Sequence, residues 1–182
     1  MTDHKIKRCF TSGLILFAVN FVFGLPKLMP VFLLTSNILP GFIFGYTLIS
    51  NLENNVDWKA ALFFLLSGGL YILAVWIATG YSFFGRDIYV YFPLASVIGA
   101  VTLLLAYKFL LDPSISLRVG VLYAIITGLV SSIIAVAFGR LQTNNDAYWL
   151  YLTCTLSVFI TWQTLFGWTI KQSERQPLIQ PL

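Results

Sequence analysis

Long apolar stretches separated by short polar ones dominate the chain. Four stretches of about 20 residues, the length that a helix needs to cross a bilayer, lie at 59–81, 91–111, 119–138 and 148–170. They are apolar on all sides of the helix that they would form, and charged residues lie only near their ends. A helix that is hydrophobic all round is buried in a large core or spans a membrane. This pattern predicts four transmembrane helices.

The apolar stretch at 10–50 is too long for one span and is interrupted by prolines. Pro26 and Pro30 lie near its middle, and a proline removes a backbone donor and disfavours helix at the residue before it. We therefore predict two helices, at 10–25 and 30–50, joined by a tight hairpin. No small-residue cleavage pattern follows the first one, so it is interpreted as an uncleaved span and not as a signal peptide. The total is six spans.

Composition supports lipid as the solvent. The 182 residues are 58% hydrophobic and 10% charged, with a mean hydropathy of +0.84, whereas soluble domains contain about 25% charged residues. A soluble domain of this size buries only about 70% of the surface of its unfolded chain, so much apolar surface would face water. The predicted fold is an all-α, polytopic helical membrane protein of about six transmembrane helices, in contact with membrane lipids.

The lysine and arginine residues are distributed unequally between the two sides of this topology. Positive residues favour the cytoplasmic side, and with the N-terminus inside, eight lie inside and three outside. We therefore expect both termini in the cytoplasm and a bacterial inner membrane as the location. No basic run with interleaved aromatics occurs, so nucleic acid is not expected as a partner. The inside set is Lys5, Lys7, Arg8, Lys59, Lys108, Arg118, Lys171 and Arg175, and the outside set is Lys27, Arg86 and Arg140.

The polar segment at 172–182 is predicted to be a short cytoplasmic tail. It contains Glu174, three further residues, and then Leu178 and Ile179. This spacing resembles the dileucine sorting signal of eukaryotic endosomal and lysosomal membrane proteins. The resemblance covers six residues and implies an endolysosomal membrane as the alternative location.

An internal repeat is suggested by glycine spacing. Gly13-Leu14 is followed by Gly24, Gly69-Leu70 by Gly80, and Gly128-Leu129 by Gly139, each at the same distance. The later two copies also match at Lys59 and Arg118, at Asp87 and Asp146, and at Tyr89 and Tyr148. We interpret the chain as three parallel two-helix hairpins.

Small residues recur every fourth position in the fifth span. Close backbone approach through small residues drives helix packing in lipid, so we expect this helix in the middle of the bundle or at a subunit contact. Gly41 and Gly45 form a similar patch in the second span, next to Pro40, which should kink that helix. A path for a solute is the alternative interpretation of these residues. The two rows in the fifth span are Gly120, Ala124, Gly128 and Ser132, and Thr127, Ser131, Ala135 and Gly139.

Three polar amides lie within the predicted spans. Asn20 and Asn37 fall at similar distances from the first hairpin turn, so their amides are expected to bond across it. Gln163 forms a second polar cluster with Thr161 and Thr164. No Asp, Glu, Lys or Arg lies in the middle of a span, whereas ion-coupled transporters usually place an ionisable group there.

The outer loops contain two Arg-Asp pairs, Arg86 with Asp87 and Arg140 with Asp146. They would suit lipid head groups or an enzyme's site. An enzyme needs a nucleophile, a base and a stabilising group within reach of one another, and no Ser/His/Asp, Cys/His or paired-carboxylate set is recognisable. The two cysteines and single histidine form no metal motif. We expect no catalytic residues, cofactor or metal.

Three classes of function fit these features. The first is a non-catalytic membrane protein that acts by assembly with itself or with another protein, as a pore, sensor or anchor. Small proteins of bacterial toxin-immunity or phage-defence systems belong to this class. The second is a small-solute transporter or facilitator, and the third is an interfacial enzyme that acts on lipids.

Overall fold

The computed structural model describes residues 2–23, 29–50, 52, 57–80, 88–139 and 148–174. Within these ranges the chain forms six α-helices and no strand, which confirms the all-α prediction for this part of the chain. The helices are α1 (Thr2–Phe23), α2 (Met29–Ile49), α3 (Trp58–Gly80), α4 (Ile88–Leu110), α5 (Leu117–Gly139) and α6 (Tyr148–Glu174).

Two helices extend beyond the predicted spans. Helix α1 begins at Thr2, within the polar N-terminal segment, and α6 continues to Glu174, into the predicted tail. An ion pair joins these ends, with Lys5 Nζ 2.6 Å from Glu174 Oε1. The Ser116 backbone N–H also donates to the carbonyl oxygen of Ser173 at 3.2 Å. These contacts fix the two polar ends, which apolar length alone does not predict.

The helices form a ring in chain order. Each helix packs against the next one in the sequence, and α1 packs against α6, which closes the ring. Neighbours run antiparallel, since Cys9 lies against Gly167 and Gly13, one turn further along α1, lies against Ile160 of α6. One end of the bundle therefore contains the starts of α1, α3 and α5 and the ends of α2, α4 and α6. We call it the basic end, because Lys5, Lys7, Arg8, Lys59, Lys108, Arg118 and Lys171 all lie there.

The outer surface is apolar along most of the bundle. Large hydrophobic side chains are exposed on α1, α3, α4 and α5, including Leu65 on α3 (61% exposed) and Ile133 on α5 (64%). Within the described ranges, Trp58–Ile77 and Val90–Leu110 are long and apolar enough to cross a bilayer. Ile38–Ile49 and Leu117–Ile133 are shorter apolar helical stretches. Six crossings remain a prediction.

The glycines of the predicted repeat do not occupy equivalent surroundings. A Cβ on Gly13 would lie 2.7 Å from Ile160 Cα of α6, and one on Gly128 would lie 2.5 Å from Val97 Cα of α4. A Cβ on Gly69 would meet nothing within 4 Å, and it is the preceding residue, Gly68, that packs against Phe42 of α2. In all three odd-numbered helices a glycine near the middle faces the previous helix of the ring. The sequence alignment of the repeat is one residue out of register in α3, and the repeat itself stays a prediction.

Candidate functional site

The small residues of α5 lie against its two neighbours. Gly128 faces the Val97 backbone of α4, and the side chain of Thr127 faces α6, where its hydroxyl lies 2.8 Å from that of Thr169. Ser131 lies 3.2 Å from Ser96 of α4, measured between the two hydroxyl oxygens. Close approach through small residues allows hydroxyl groups to bond between helices where lipid offers no partner.

Among the other residues predicted in α5, Gly120 and Ser132 also face inward. A Cβ on Gly120 would lie 2.8 Å from Leu104 Cδ2 and 3.0 Å from Ser173 Oγ. Ser132 is buried and donates to the Leu129 carbonyl oxygen at 2.7 Å, within its own helix. The Ala135 side chain lies outside the described residues.

Over residues 157–174, α6 is more enclosed than the described part of α5. Helix α5 exposes Leu122, Val130 and Ile133 on the face that turns away from its neighbours. No described side chain of α6 is an exposed large hydrophobic. Helix α6 packs between α1 and α5, and its side chains also reach α2 and α3 across the ring interior. The small rows of α5 thus serve two helix contacts, one with α4 and one with α6.

The glycines predicted in α2 contact α3. A Cβ on Gly41 would lie 2.5 Å from Tyr71 Cβ, and one on Gly45 would lie 2.8 Å from Ser67 Cβ. Ser67 donates its hydroxyl proton to the Gly41 carbonyl oxygen at 2.6 Å, and Pro40 is buried beside it. A proline cannot donate to the carbonyl one turn earlier. The carbonyl oxygen that accepts from Ser67 belongs to the residue after the proline, Gly41. This is a tight, polar helix contact.

The amide of Asn20 is fully enclosed, with 0% of the residue exposed. Its Nδ2 donates to the Leu16 carbonyl oxygen at 2.9 Å, within α1. The side chain of Asn37 lies outside the described residues, and so does the predicted bond between the two amides.

The third predicted amide, Gln163, joins α6 to α1. Gln163 is 2% exposed, and its Oε1 lies 2.5 Å from the hydroxyl oxygen of Ser12. The same hydroxyl lies 2.9 Å from the Cys9 carbonyl oxygen, and because it carries one proton it donates to only one of these acceptors at a time. Thr161 and Thr164 bond instead to carbonyl oxygens of their own helix. Sequence reasoning missed Ser12, which is 151 positions away.

We expect the Ser12–Gln163 contact to appear as a coupling free energy. In a double-mutant cycle with Ser12→Ala and Gln163→Leu, the interaction term in the free energy of unfolding should be about 0.6 kcal/mol, and at most about 1.7 kcal/mol, as for other polar pairs between membrane helices. Reversible unfolding in mixed micelles measures it. Effects that add within about 0.3 kcal/mol would show that the two side chains are energetically independent. Thr164→Val, which removes a bond within α6 only, serves as the uncoupled control.

Aromatic side chains of α2 and α6 pack against each other inside the bundle. The Phe44 ring lies 5.3 Å from that of Trp162 and 5.5 Å from that of Phe166, both edge-on. The Trp162 and Phe166 rings stack at 5.3 Å. Phe63 and Tyr107 form a further edge-on pair between α3 and α4. At this level the inside of the bundle is a packed aromatic core, and its polar groups lie at contacts between neighbouring helices.

Lys108 and Asp112 do not form an ion pair in the structure. An ion pair with Asp112, one turn later, would be the usual helical spacing. Instead, Lys108 Nζ donates to the carbonyl oxygens of Pro113 (3.0 Å) and Ile115 in the loop between α4 and α5. Asp112 accepts from the Ser114 N–H (3.0 Å) and hydroxyl (2.5 Å). The loop turns back towards the ammonium group, so its free carbonyls are nearer than the carboxylate.

The predicted outer-face site cannot be assembled from the described ranges, because Arg86, Asp87, Arg140 and Asp146 all lie outside them. Among described residues, no three His, Cys, Asp or Glu side chains come together as a metal site would require. No protein-family model matches the chain, and the searches of curated proteins and of solved structures returned no match. Function is therefore argued from the arrangement of residues.

Proposed function

We propose that this chain is a non-catalytic integral membrane protein that crosses the bilayer six times. The support is a distribution of polarity opposite to that of a soluble domain. The exterior carries large hydrophobic side chains such as Trp76, which is 65% exposed, while Ser, Thr, Asn and Gln side chains are buried. Ser12 bonds to Gln163, and Thr127 to Thr169, between helices. Water would penalise this apolar exterior, and a bilayer would not.

The two longest apolar helical stretches support the same conclusion. In the most apolar 18 residues of Trp58–Ile77 only 22% are buried inside the protein, and in those of Val90–Leu110 only 28%. The core helix of a soluble protein is mostly buried, because its apolar surface must be removed from water. Helices this apolar and this exposed belong in lipid, with the polar ends at the two surfaces.

We propose further that the protein acts by assembly, with itself or with another membrane protein, as an anchor or sensor. The observation that carries this proposal is Gly69. A glycine inside a helix costs about 1 kcal/mol relative to alanine, and the other glycines whose surroundings the structure describes have a neighbouring atom within 4 Å that accounts for the small residue. Gly69 has none, and it lies between the exposed Leu65 and Leu73. A glycine notch on a lipid-facing helix suits the close approach of another helix.

The filled interior favours assembly over solute transport as the mode of action. The rings of Phe44, Trp162 and Phe166 occupy the space that a path along the bundle axis would need. The basic end is also joined across helices by the Lys5–Glu174 ion pair and by Arg8, whose Nη1 donates to the Ser50 carbonyl oxygen at 2.6 Å.

Gly69→Leu tests the assembly proposal. Because a Cβ there meets nothing within 4 Å, the variant should fold as well as the wild type, and the change away from glycine should add up to about 1 kcal/mol to helix stability. The wild type should have the mass of a complex, and the variant should have the mass of one 20.4 kDa chain. Light scattering in mild detergent measures both.

The matched control is Ala18→Leu, which adds bulk to an exposed position of α1. It should keep the mass of the wild type. If Gly69→Leu also keeps the mass of the wild type, the surface of α3 at Gly69 is not where the chains of the complex contact each other. If the wild type is itself a single chain with no copurifying protein, the assembly proposal fails.

A further inference from the structure

The charged side chains that the structure describes are all at the basic end, and the three acids among them, Asp57, Asp112 and Glu174, each have a partner. Asp57 caps α3, with Oδ1 accepting from the backbone N–H groups of Lys59 (3.0 Å) and Ala60 (3.1 Å). Asp112 accepts from Ser114, and Glu174 pairs with Lys5. None of these three carboxylates forms an ion pair with the side chain of Lys7, Lys59 or Arg118.

Three of those basic side chains, Lys7, Lys59 and Arg118, are exposed and have no hydrogen bond or ion pair from their cationic groups within the described part of the protein. Lys59 and Arg118 are each the second residue of their helix, α3 and α5. The N-terminus of a helix carries a positive partial charge, so a cation is unfavourable there. Helix stability does not account for these positions, whereas an anion outside the protein would.

Each of the three cations adjoins an exposed apolar side chain. Trp58 precedes Lys59 and is 68% exposed, Leu117 precedes Arg118, and Phe10 follows Lys7 by one helical turn. An apolar side chain beside a basic one at the end of a span is the usual arrangement at the head-group level of a bilayer. The apolar group reaches the acyl chains and the cation reaches the phosphate.

The three positions are also spread around the bundle. They lie on α1, α3 and α5, which alternate with the even-numbered helices around the ring. A compact macromolecule would require a clustered patch. Lipids surround the whole perimeter, so separated cations, each with an apolar neighbour, match them better.

We propose that the basic end binds anionic phospholipid head groups through Lys7, Lys59 and Arg118, one on each odd-numbered helix. This inference rests on the proposed membrane location and adds a lipid class to it. Each basic residue near an anionic membrane surface contributes roughly fivefold in affinity at low ionic strength, and salt screens the interaction.

The test uses the purified full-length protein in a zwitterionic detergent, titrated with phosphatidylglycerol or phosphatidylcholine and followed by native mass spectrometry. The wild type should bind phosphatidylglycerol more tightly, and increasing salt should reduce the difference. The triple variant Lys7→Gln, Lys59→Gln, Arg118→Gln should lose about fivefold in phosphatidylglycerol affinity at each of the three positions and nothing in phosphatidylcholine affinity. The charge-conserving triple variant Lys7→Arg, Lys59→Arg, Arg118→Lys should resemble the wild type.

Two outcomes overturn the inference. One is an unchanged phosphatidylglycerol preference in the neutral triple variant. The other is displacement of phosphatidylglycerol by inorganic phosphate at equal concentration, which would identify a site for a soluble anion. Failure of the membrane proposal is distinguishable, because a chain that stays in solution without detergent would contradict that proposal before any lipid is added.

Discussion

Gly128→Leu should lower the free energy of unfolding of the bundle by about 1–3 kcal/mol, the usual cost of overpacking a tight contact. A Cβ at this position would lie 2.5 Å from Val97 Cα and 2.7 Å from Val97 N. These are backbone atoms, so no rotamer change relieves the clash and α4 must move away from α5. That movement would also separate Ser96 from Ser131 and disturb the Thr127–Thr169 contact on the other side of α5. The midpoint of unfolding in mixed micelles should fall, with loss of the native particle in size-exclusion chromatography.

The matched control for this prediction is Gly69→Leu, which makes the same change at the equivalent position of the predicted repeat in α3. Because Gly69 has open space around it, that variant should keep its fold, without the destabilisation expected of Gly128→Leu. Equal destabilisation by the two substitutions would contradict the arrangement of α3, α4 and α5 described above.

The positions of the helices were predictable from the sequence, because each requirement of a span is visible in it. Apolar length and flanking polar residues located α2 to α5 within three residues of their ends, and the proline pair separated α1 from α2. The small residues every fourth position in α5 indicated close packing, since bulky side chains would prevent it.

Which side of each helix faces the inside of the bundle was not predictable in the same way. On a soluble protein a polar face marks the outside, but a helix that is apolar on all sides gives no such signal. The glycine spacing alone therefore did not show that Gly68 turns inward and Gly69 outward. The Ser12–Gln163 and Lys5–Glu174 contacts join residues 151 and 169 positions apart. They depend on the closure of the ring between α1 and α6, which hydrophobic pattern does not specify.

The labelling of introduced cysteines should differ strongly between the two ends of the bundle. The basic end and the opposite end should lie on different sides of the membrane, so single cysteines placed at Ser114 and at Asn144 should react from opposite sides. Ser114 is exposed in the loop between α4 and α5 at the basic end, and Asn144 lies between α5 and α6 in the sequence. The excess of lysine and arginine predicts that the basic end faces the cytoplasm.

Native Cys9 provides an internal control once Cys154 is replaced by serine. Cys9 is buried, and burial raises the pKa of its thiol to about 12, with a smaller opposing contribution from the charge of Lys5. Only the thiolate reacts, so the thiol stays protonated and unreactive below that pH. Cys9 should therefore be unlabelled in the folded protein and become labelled after denaturation in SDS.

The central claim is a six-span membrane bundle with both termini in the cytoplasm. It is tested most directly by this labelling in sealed right-side-out vesicles, in which the non-cytoplasmic face of the membrane faces the medium. A membrane-impermeant maleimide should label Asn144→Cys in intact vesicles, and should label Ser114→Cys only after the vesicles are permeabilised. Labelling of both cysteines in intact vesicles, or of neither until permeabilisation, would contradict the account.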